Sequence, residues 1–309
     1  MPEELFHKRP TPIQPIYSAV AEKAGVQWLI KRDDLIDPQI SGNKWRKLKY
    51  NLQCAKEQGY KTLLTFGGAY SNHLYAVAAA GSLFGFETVG IIRGQEITQL
   101  SPTLQFAQIC HMQLEFWPRE EYRLKNKSEL FKKIQEHYGS FYMIPEGGSN
   151  ALAVKGCTEI IQEINIPFDY VSCACGTGGT VAGLIAGLEG KNTCLGIPVL
   201  KGGDFLKSDI QELLSQYYLQ EDQPVPTFRN WHLETSYHFG GYAKTTPELL
   251  SFIHNFEQKN NFLIDQVYTA KMLVGVEDLI LQGRFKRGDI IISIHTGGLQ
   301  GRLPQLSSL

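Results

Sequence analysis

Tyr170-Val171-Ser172-Cys173-Ala174-Cys175-Gly176-Thr177-Gly178-Gly179-Thr180-Val181-Ala182-Gly183 decides how this chain is built. A short apolar run of strand length, Tyr170 to Ala174, stops at the glycine turn Gly176 to Thr180. Residues 181 to 188 then read as helix. Strand, glycine turn and helix in that order form the unit of a parallel α/β sheet. Glycines let successive amides converge on one point, and the helix dipole favours negative charge there. Thr177 and Thr180 can add hydroxyl donors. The turn lacks the Lys-Ser/Thr ending of a Walker loop, and its spacing is not G-x-G-x-x-G. No acidic residue is placed to read a dinucleotide ribose. The expected anion is therefore the single phosphate of a small cofactor. A tight turn that needs glycine only for packing is the plainer alternative.

The same grammar extends in both directions. Upstream, residues 9 to 16 are proline-rich and extended, and Val26 to Lys31 reads as a strand. Strands follow at 62–66, 88–92, 113–117 and 141–144, with helices at 73–84, 101–111, 119–138 and 150–164. Downstream, strands are expected at 193–200 and 289–294 and helices at 204–219, 246–259 and 268–282. Residues 221 to 245 read as irregular. The fold class is therefore α/β with mainly parallel sheets, and ligands should bind beyond the carboxyl ends of the strands.

At 309 residues the chain can bury a large core and make two lobes. Its formal net charge of −1 offers no basic surplus for nucleic acid. No apolar run approaches membrane-spanning length, so neither partner is expected. Met1-Pro2-Glu3-Glu4-Leu5 has no apolar core of a signal peptide. The six cysteines form no C-x-x-C pair. They read as reduced, buried side chains of a cytoplasmic protein, and the lone Cys173/Cys175 pair is weak ground for a metal.

Four further turns carry chemistry. Ser41-Gly42-Asn43-Lys44-Trp45-Arg46-Lys47-Leu48 places Lys44 where a Gly-Asn turn becomes a helix. A lysine attacks carbonyls when it is desolvated or beside other cations, and Arg46 and Lys47 are its neighbours. Taken alone, the window also fits a solvated basic helix start. Gly67-Gly68-Ala69-Tyr70-Ser71-Asn72-His73 follows a strand and enters a helix. Helix capping accounts for one member of its polar trio, not for all three; free amides and hydroxyls there can hold a carboxylate or deliver a proton. In the last turns, Tyr268 could stack on a flat heterocycle and the Thr296 hydroxyl could reach a ring nitrogen. A core role for Tyr268 is equally open when it is judged alone. His295 reads as structural, because no second histidine stands at ligand spacing.

A nucleophilic lysine, a single-phosphate cup, a stacking ring and a hydroxyl near a ring nitrogen are what pyridoxal 5'-phosphate requires. The chain resembles the family of D-cysteine desulfhydrases and 1-aminocyclopropane-1-carboxylate deaminases. The resemblance runs from Arg9-Pro10-Thr11-Pro12 through Ile30-Lys31-Arg32-Asp33-Asp34-Leu35 and Gly42-Asn43-Lys44 to His295-Thr296-Gly297-Gly298. It implies the tryptophan synthase β-like fold (PLP fold type II). That fold has a large lobe of residues 1–49 and 149–309, a small inserted lobe of residues 50–148, and the cofactor between them. Within it, Lys44 would attach the cofactor and Asn72 would hold its ring hydroxyl. Lys47 with Gly176, Thr177, Gly178, Gly179 and Thr180 would hold the phosphate. Ser71, Asn72 and His73 would receive the substrate carboxylate, with Ser71 moving a proton. Tyr268 would stack near the pyridine, and Tyr242 would be a second active-site tyrosine.

Thr269 and Thr296 stand where deaminases of the family carry Glu and Leu, which is the desulfhydrase pattern. A carboxylate would favour a protonated ring nitrogen and a stronger electron sink. A hydroxyl leaves the ring neutral, which suits loss of a good leaving group from the β-carbon. The expected reaction is elimination on a small D-amino acid, D-cysteine, giving pyruvate, ammonia and sulfide. Opening of the cyclopropane amino acid to 2-oxobutyrate and ammonia is the alternative, and a non-catalytic cofactor-binding protein is the distant one. The resemblance also implies a homodimer. Ser41, Gln266 and Ala270 replace the family's usual Gly, Pro and Gly, and Trp45 is a bulky neighbour for the lysine.

Overall fold

The computed structural model describes residues 8–96, 98–125 and 127–306. In chain order its elements are β1 (Ile13–Pro15), α1 (Ala19–Ala24), β2 (Gln27–Lys31), α2 (Asn43–Glu57), β3 (Thr62–Gly67), α3 (Asn72–Phe84) and β4 (Glu87–Arg93). Next come α4 (Pro102–Ile109), β5 (Gln113–Trp117), α5 (Arg119–Tyr122), α6 (Ser128–Tyr138), β6 (Tyr142–Ile144) and α7 (Ala151–Gln162). The chain ends with β7 (Tyr170–Cys175), α8 (Gly179–Leu188), β8 (Thr193–Pro198), α9 (Leu206–Gln220), β9 (Trp231–Leu233), α10 (Pro247–Asn260), α11 (Thr269–Leu281) and β10 (Ile290–Ile294).

The strands form two sheets. The first runs β1-β2-β10-β7-β8-β9 and the second β5-β4-β3-β6. Every pairing is parallel except β1 with β2 at the edge of the first sheet. Parallel strands are covered on both faces, and their side chains alternate between the two. In β10, Ile291 packs with Met272 and Val276 of α11 and Ile253 of α10. Its neighbour Ile292 packs on the opposite face with Val181 and Ile185 of α8 and Val154 of α7. The second sheet repeats this: Leu63 meets Leu48, Leu52 and Leu74 from α2 and α3, whereas Leu64 meets Leu130 and Ile134 of α6. Each such side chain contributes about 1.5–3 kcal/mol of burial.

Several helices begin where the sequence supplies a cap. Ser71, Ser101, Asn150 and Thr246 each accept a main-chain N–H in the first turn of α3, α4, α7 and α10. Three features escaped the sequence reading. Helix α1 is one and a half turns long, too short for a periodic signal, and is fixed by Ser18 at its start and a left-handed Gly25 at its end. Strand β9 is three residues inside the stretch read as irregular. The helix expected over 119–138 is two helices; Tyr122 and Leu130 both reach the cluster around Phe66, and the break between them lets each piece face it.

Helix α2 joins the two sheets. Trp45 and Leu48 face the second sheet's core, while a Cβ on Gly156 of α7 would stand 1.9 Å from the Arg46 carbonyl oxygen. Buried charges lock this crossing. The Arg46 guanidinium donates to Asp33 at 3.0 and 3.1 Å and to Glu163 at 2.5 and 2.8 Å. The Lys31 ammonium joins Glu163 at 2.6 Å, and Thr11 donates to Asp33 at 2.6 Å. Burial opposes the charge on Asp33, but Arg46 and Lys31 hold its carboxyl below the usual carboxylate range. The motifs Arg9-Pro10-Thr11-Pro12 and Lys31-Arg32-Asp33-Asp34 therefore act as a brace under α2. Removing one partner strands buried charge. Arg46→Met is expected to cost about 3–5 kcal/mol, measured as a lower urea midpoint; a loss no greater than that of an exposed substitution would show that the brace carries no stability.

Candidate active site

The start of α2 is pinned from two sides. Gly42 has φ +62°, and a Cβ there would lie 2.0 Å from the Thr296 carbonyl oxygen, so glycine alone fits. The Asn43 amide donates to that same oxygen at 3.3 Å. The Asn43 side chain donates to Thr180 Oγ1 at 2.8 Å. The first turn of α2 thus touches the turn after β10 and the turn after β7 at once. Lys44 projects from this junction into a cavity of about 530 Å³. Its side chain is half-buried, enclosed by protein yet open to the cavity. Burial first, and the charge of Lys47 second, pull its amine from 10.5 down to about 7. About half of the amine is then neutral at pH 7. Among the described residues nothing hydrogen-bonds to it.

Lys47, one turn on, is tied down instead. Its ammonium donates to the Gly147 carbonyl at 3.0 Å and Ser149 Oγ at 2.9 Å, with Thr177 Oγ1 at 3.5 Å. Thr177 and Ser149 share a hydrogen bond of 2.6 Å. A Cβ on Gly179 would stand 3.1 Å from the Lys47 nitrogen and 2.6 Å from Ser149 Oγ. The glycine cup, the N-terminus of α8 and one cation therefore converge on a single point.

The turn after β3 forms the opposite wall. Ser71 caps α3 by accepting the Leu74 amide at 3.3 Å, and its hydroxyl also lines the cavity. The Asn72 amide lies under the turn after β10, 2.7 Å from where a Cβ on Gly298 would be. His73 is buried. Thr65 gives its one hydroxyl proton to the Ile144 carbonyl at 2.8 Å, so His73 Nε2 must donate to Thr65 at 2.8 Å. His73 Nδ1 then carries a lone pair without a partner among the described residues. Burial, Lys44 and Lys47 keep the ring neutral, so it offers a substrate carboxylate no positive charge.

Tyr268 closes the site. Its ring lies against Gly176, where a Cβ would stand 3.2 Å from Tyr268 Cε1. Its hydroxyl faces that of Tyr242 at 3.4 Å, and the two rings meet edge to face at 6.0 Å. Burial and the neighbouring Tyr242 raise the Tyr268 hydroxyl well above its ordinary value, so it stays protonated. Thr296 lines the cavity beside it. Thr269 does not: its side chain is fully buried behind Tyr268, with a hydroxyl that has no partner among the described residues. His295 is engaged on both nitrogens, by the Leu263 carbonyl at 2.8 Å and the Gly297 amide at 3.2 Å, which is a structural arrangement.

Lys44, Lys47, Ser71, Asn72, His73, Tyr242, Tyr268, Thr296 and most of the glycine cup thus line one cavity. Sequence reasoning missed three supports. Asn43 ties the lysine to the cup. Ser149 completes the cup, and its signal was present: Gly147-Gly148-Ser149-Asn150 stands between a strand and a helix just as Gly67 to His73 does. Asp265 accepts the amides of Val267, Tyr268 and Thr269 at 2.7–2.8 Å and so fixes the backbone that carries the Tyr268 ring.

These features suit pyridoxal phosphate. A free, desolvated amine, a glycine cup with a buried cation and a ring over the cup's first glycine share one enclosure. The profile of the family described as pyridoxal-phosphate dependent enzyme matches residues 5–297. A Thermotoga maritima protein named putative 1-aminocyclopropane-1-carboxylate deaminase is 32% identical, over 96% of this chain and 96% of its own. The D-cysteine desulfhydrase of Serratia proteamaculans is 28% identical, over 93% of this chain and 91% of its own. Among solved structures, an ACC deaminase homologue superimposes with a TM-score of 0.83 at 29% identity, covering 95% of this chain and 90% of that one. Sequence, fold and site agree that the chain belongs to the pyridoxal-phosphate dependent enzymes and has their tryptophan synthase β-like fold.

Proposed function

We propose that this enzyme eliminates the β-substituent of a small D-amino acid, D-cysteine, so that substrate and water yield pyruvate, ammonia and hydrogen sulfide. The observation that carries the proposal is the Lys44 amine, pulled down to about 7 and facing the same cavity as the glycine cup and the Thr296 hydroxyl. Lys44 would attach the cofactor. Lys47 with Gly176, Thr177, Gly178, Gly179 and Thr180 would hold its phosphate, Asn72 its ring hydroxyl, Tyr268 its face and Thr296 its ring nitrogen. Once bound, the pyridine ring accepts the electrons released when a bond at the substrate α-carbon breaks.

The remaining steps belong to the chain. The Ser71 hydroxyl and the turn through Asn72 and His73 would seat the substrate carboxylate. The freed Lys44 nitrogen, or Ser71 Oγ, would take the α-proton. Departure of sulfur as hydrosulfide needs no protonated ring nitrogen, and a threonine hydroxyl at 296 does not enforce one. The deeply buried Thr269 would act only by leaving that wall uncharged. The six free cysteines fit a reducing, cytoplasmic setting. A homodimer follows from the family resemblance. The lobes would divide at about residues 50 and 148.

Ring opening of the cyclopropane amino acid is the second reading. It is favoured by the names of the Thermotoga relative and of the solved homologue. A panel of D-cysteine, L-cysteine, D-serine and 1-aminocyclopropane-1-carboxylate separates the two. Sulfide and pyruvate should appear in equal amounts from D-cysteine, at least about tenfold faster than 2-oxobutyrate from the cyclopropane. The reverse order would establish the deaminase. Bound cofactor with no turnover of any of the four would make this a carrier.

Cofactor loading provides a separate check, because only a neutral amine attacks an aldehyde. The rate at which apoprotein gains a visible absorbance band should rise with pH, level off above about 7 and be abolished in Lys44→Ala. A rate that keeps climbing toward the ordinary lysine value of 10.5 would contradict a desolvated nucleophile.

A further inference from the structure

Residues 237–242 lie along one stripe of α11 and its N-cap. The Tyr237 ring packs on Gly275, where a Cβ would stand 2.9 Å from it, and its hydroxyl donates to Asp278 at 2.7 Å. Next, the Lys271 ammonium donates to the His238 carbonyl at 2.9 Å and to the Gly241 carbonyl at 2.8 Å. Tyr242 then meets Tyr268, hydroxyl to hydroxyl at 3.4 Å. Positions 268, 271, 275 and 278 are spaced by three, four and three, so they share one helical face. A single stripe thus supplies both the stacking tyrosine and the anchors of the segment that carries its partner.

The middle of this strap is strained despite hydrogen bonds of its own, from the Gly240 amide to His238 Nδ1 at 3.0 Å, the Gly241 amide to the His238 carbonyl at 3.0 Å and the Lys244 amide to the Gly241 carbonyl at 3.2 Å. Phe239, Gly240, Gly241 and Ala243 have φ of +50°, +87°, +120° and +55°. Two of the four are not glycine, and a left-handed backbone disfavours L-residues with a side chain. Such a run persists only if the surroundings impose it. Lys271 adds a constraint from outside the segment. It is fully buried, and its amine spans carbonyls three residues apart across the turn. Lysine is rarely buried without a partner, yet Lys271 forms no ion pair among the described residues. The nearby carboxylate, Asp265, gives its oxygens to three amides instead.

We infer that Lys271 is a positioning residue for the reaction: its amine holds the left-handed turn that carries Tyr242, and so sets the distance between the Tyr242 and Tyr268 hydroxyls at the cavity. The inference rests on the pyridoxal phosphate reading of the site. Lys271 itself does not line the cavity. Its effect on turnover passes through Tyr242, and this separates positioning from general stabilisation.

A double-mutant cycle tests it. Lys271→Met, Tyr242→Phe and the double variant would be purified with cofactor and assayed on the preferred amino acid of the panel. All three should gain the visible cofactor band, since Lys44 and the cup are untouched. Each single change is expected to lower kcat at least about tenfold, and the double variant should be no slower than the slower single. Lys271→Arg, which keeps the charge and the donors, should recover part of the loss. Losses that multiply in the double variant, or Lys271→Met turning over within about twofold of the parent, would overturn the inference. Failure of both Lys271→Met and Lys271→Arg to fold would assign the residue to folding and overturn it as well. A parent protein that neither binds cofactor nor turns over any substrate would instead remove the reading on which the inference stands.

Discussion

The approach of Gly42 to the Thr296 carbonyl is the constraint on which the site depends. With 2.0 Å where a Cβ would stand, the two main chains meet as closely as backbone allows. That approach brings the start of α2 under the carboxyl ends of β10 and β7. The Asn43 side chain then reaches Thr180 and fixes the spacing from lysine to cup. Behind α2, Arg46, Asp33, Lys31 and Glu163 keep the helix from sliding. One helix start is thus held by a contact that admits only glycine, a side-chain hydrogen bond and a buried charge cluster. Precision of this kind is needed where one nitrogen must meet one carbon.

Two lysines one turn apart in the same helix take opposite roles because their surroundings differ. Lys47 finds a carbonyl and a hydroxyl within hydrogen-bond distance, and its ammonium becomes part of the glycine cup. Lys44 has no such partner among the described residues, and burial first and its neighbour's charge second make its amine lose its proton readily. The like charge that adds to the effect of burial on Lys44 is also the charge that would hold the phosphate. His73 fits the same scheme. Burial first, and the neighbouring amines of Lys44 and Lys47 second, make a second proton on its ring unfavourable.

Most of the architecture was legible because its signals are local. Glycine turns after apolar runs marked the carboxyl edge of each sheet, and those turns do open on one cavity. The motif Gly42-Asn43-Lys44 identified the lysine, although nothing in it shows that Gly42 is required by a carbonyl some 250 residues away in sequence. What escaped depends on long-range contact. Asn43 looked like a turn residue and proved to be a tether. Thr269 stands beside Tyr268 in sequence, but helix α11 turns its side chain into the core while Tyr268 lines the cavity. The strap at 237–242 reads as irregular because its left-handed turn combines local hydrogen bonds with a long-range contact from Lys271.

The central claim is that Lys44, and no other amine, joins the cofactor. Borohydride reduction of cofactor-loaded protein, followed by peptide mass spectrometry, tests this most directly. The account predicts a stable phosphopyridoxyl mass on Lys44, in stoichiometric amount. That mass on Lys47 or Lys271, or on no lysine, would contradict it.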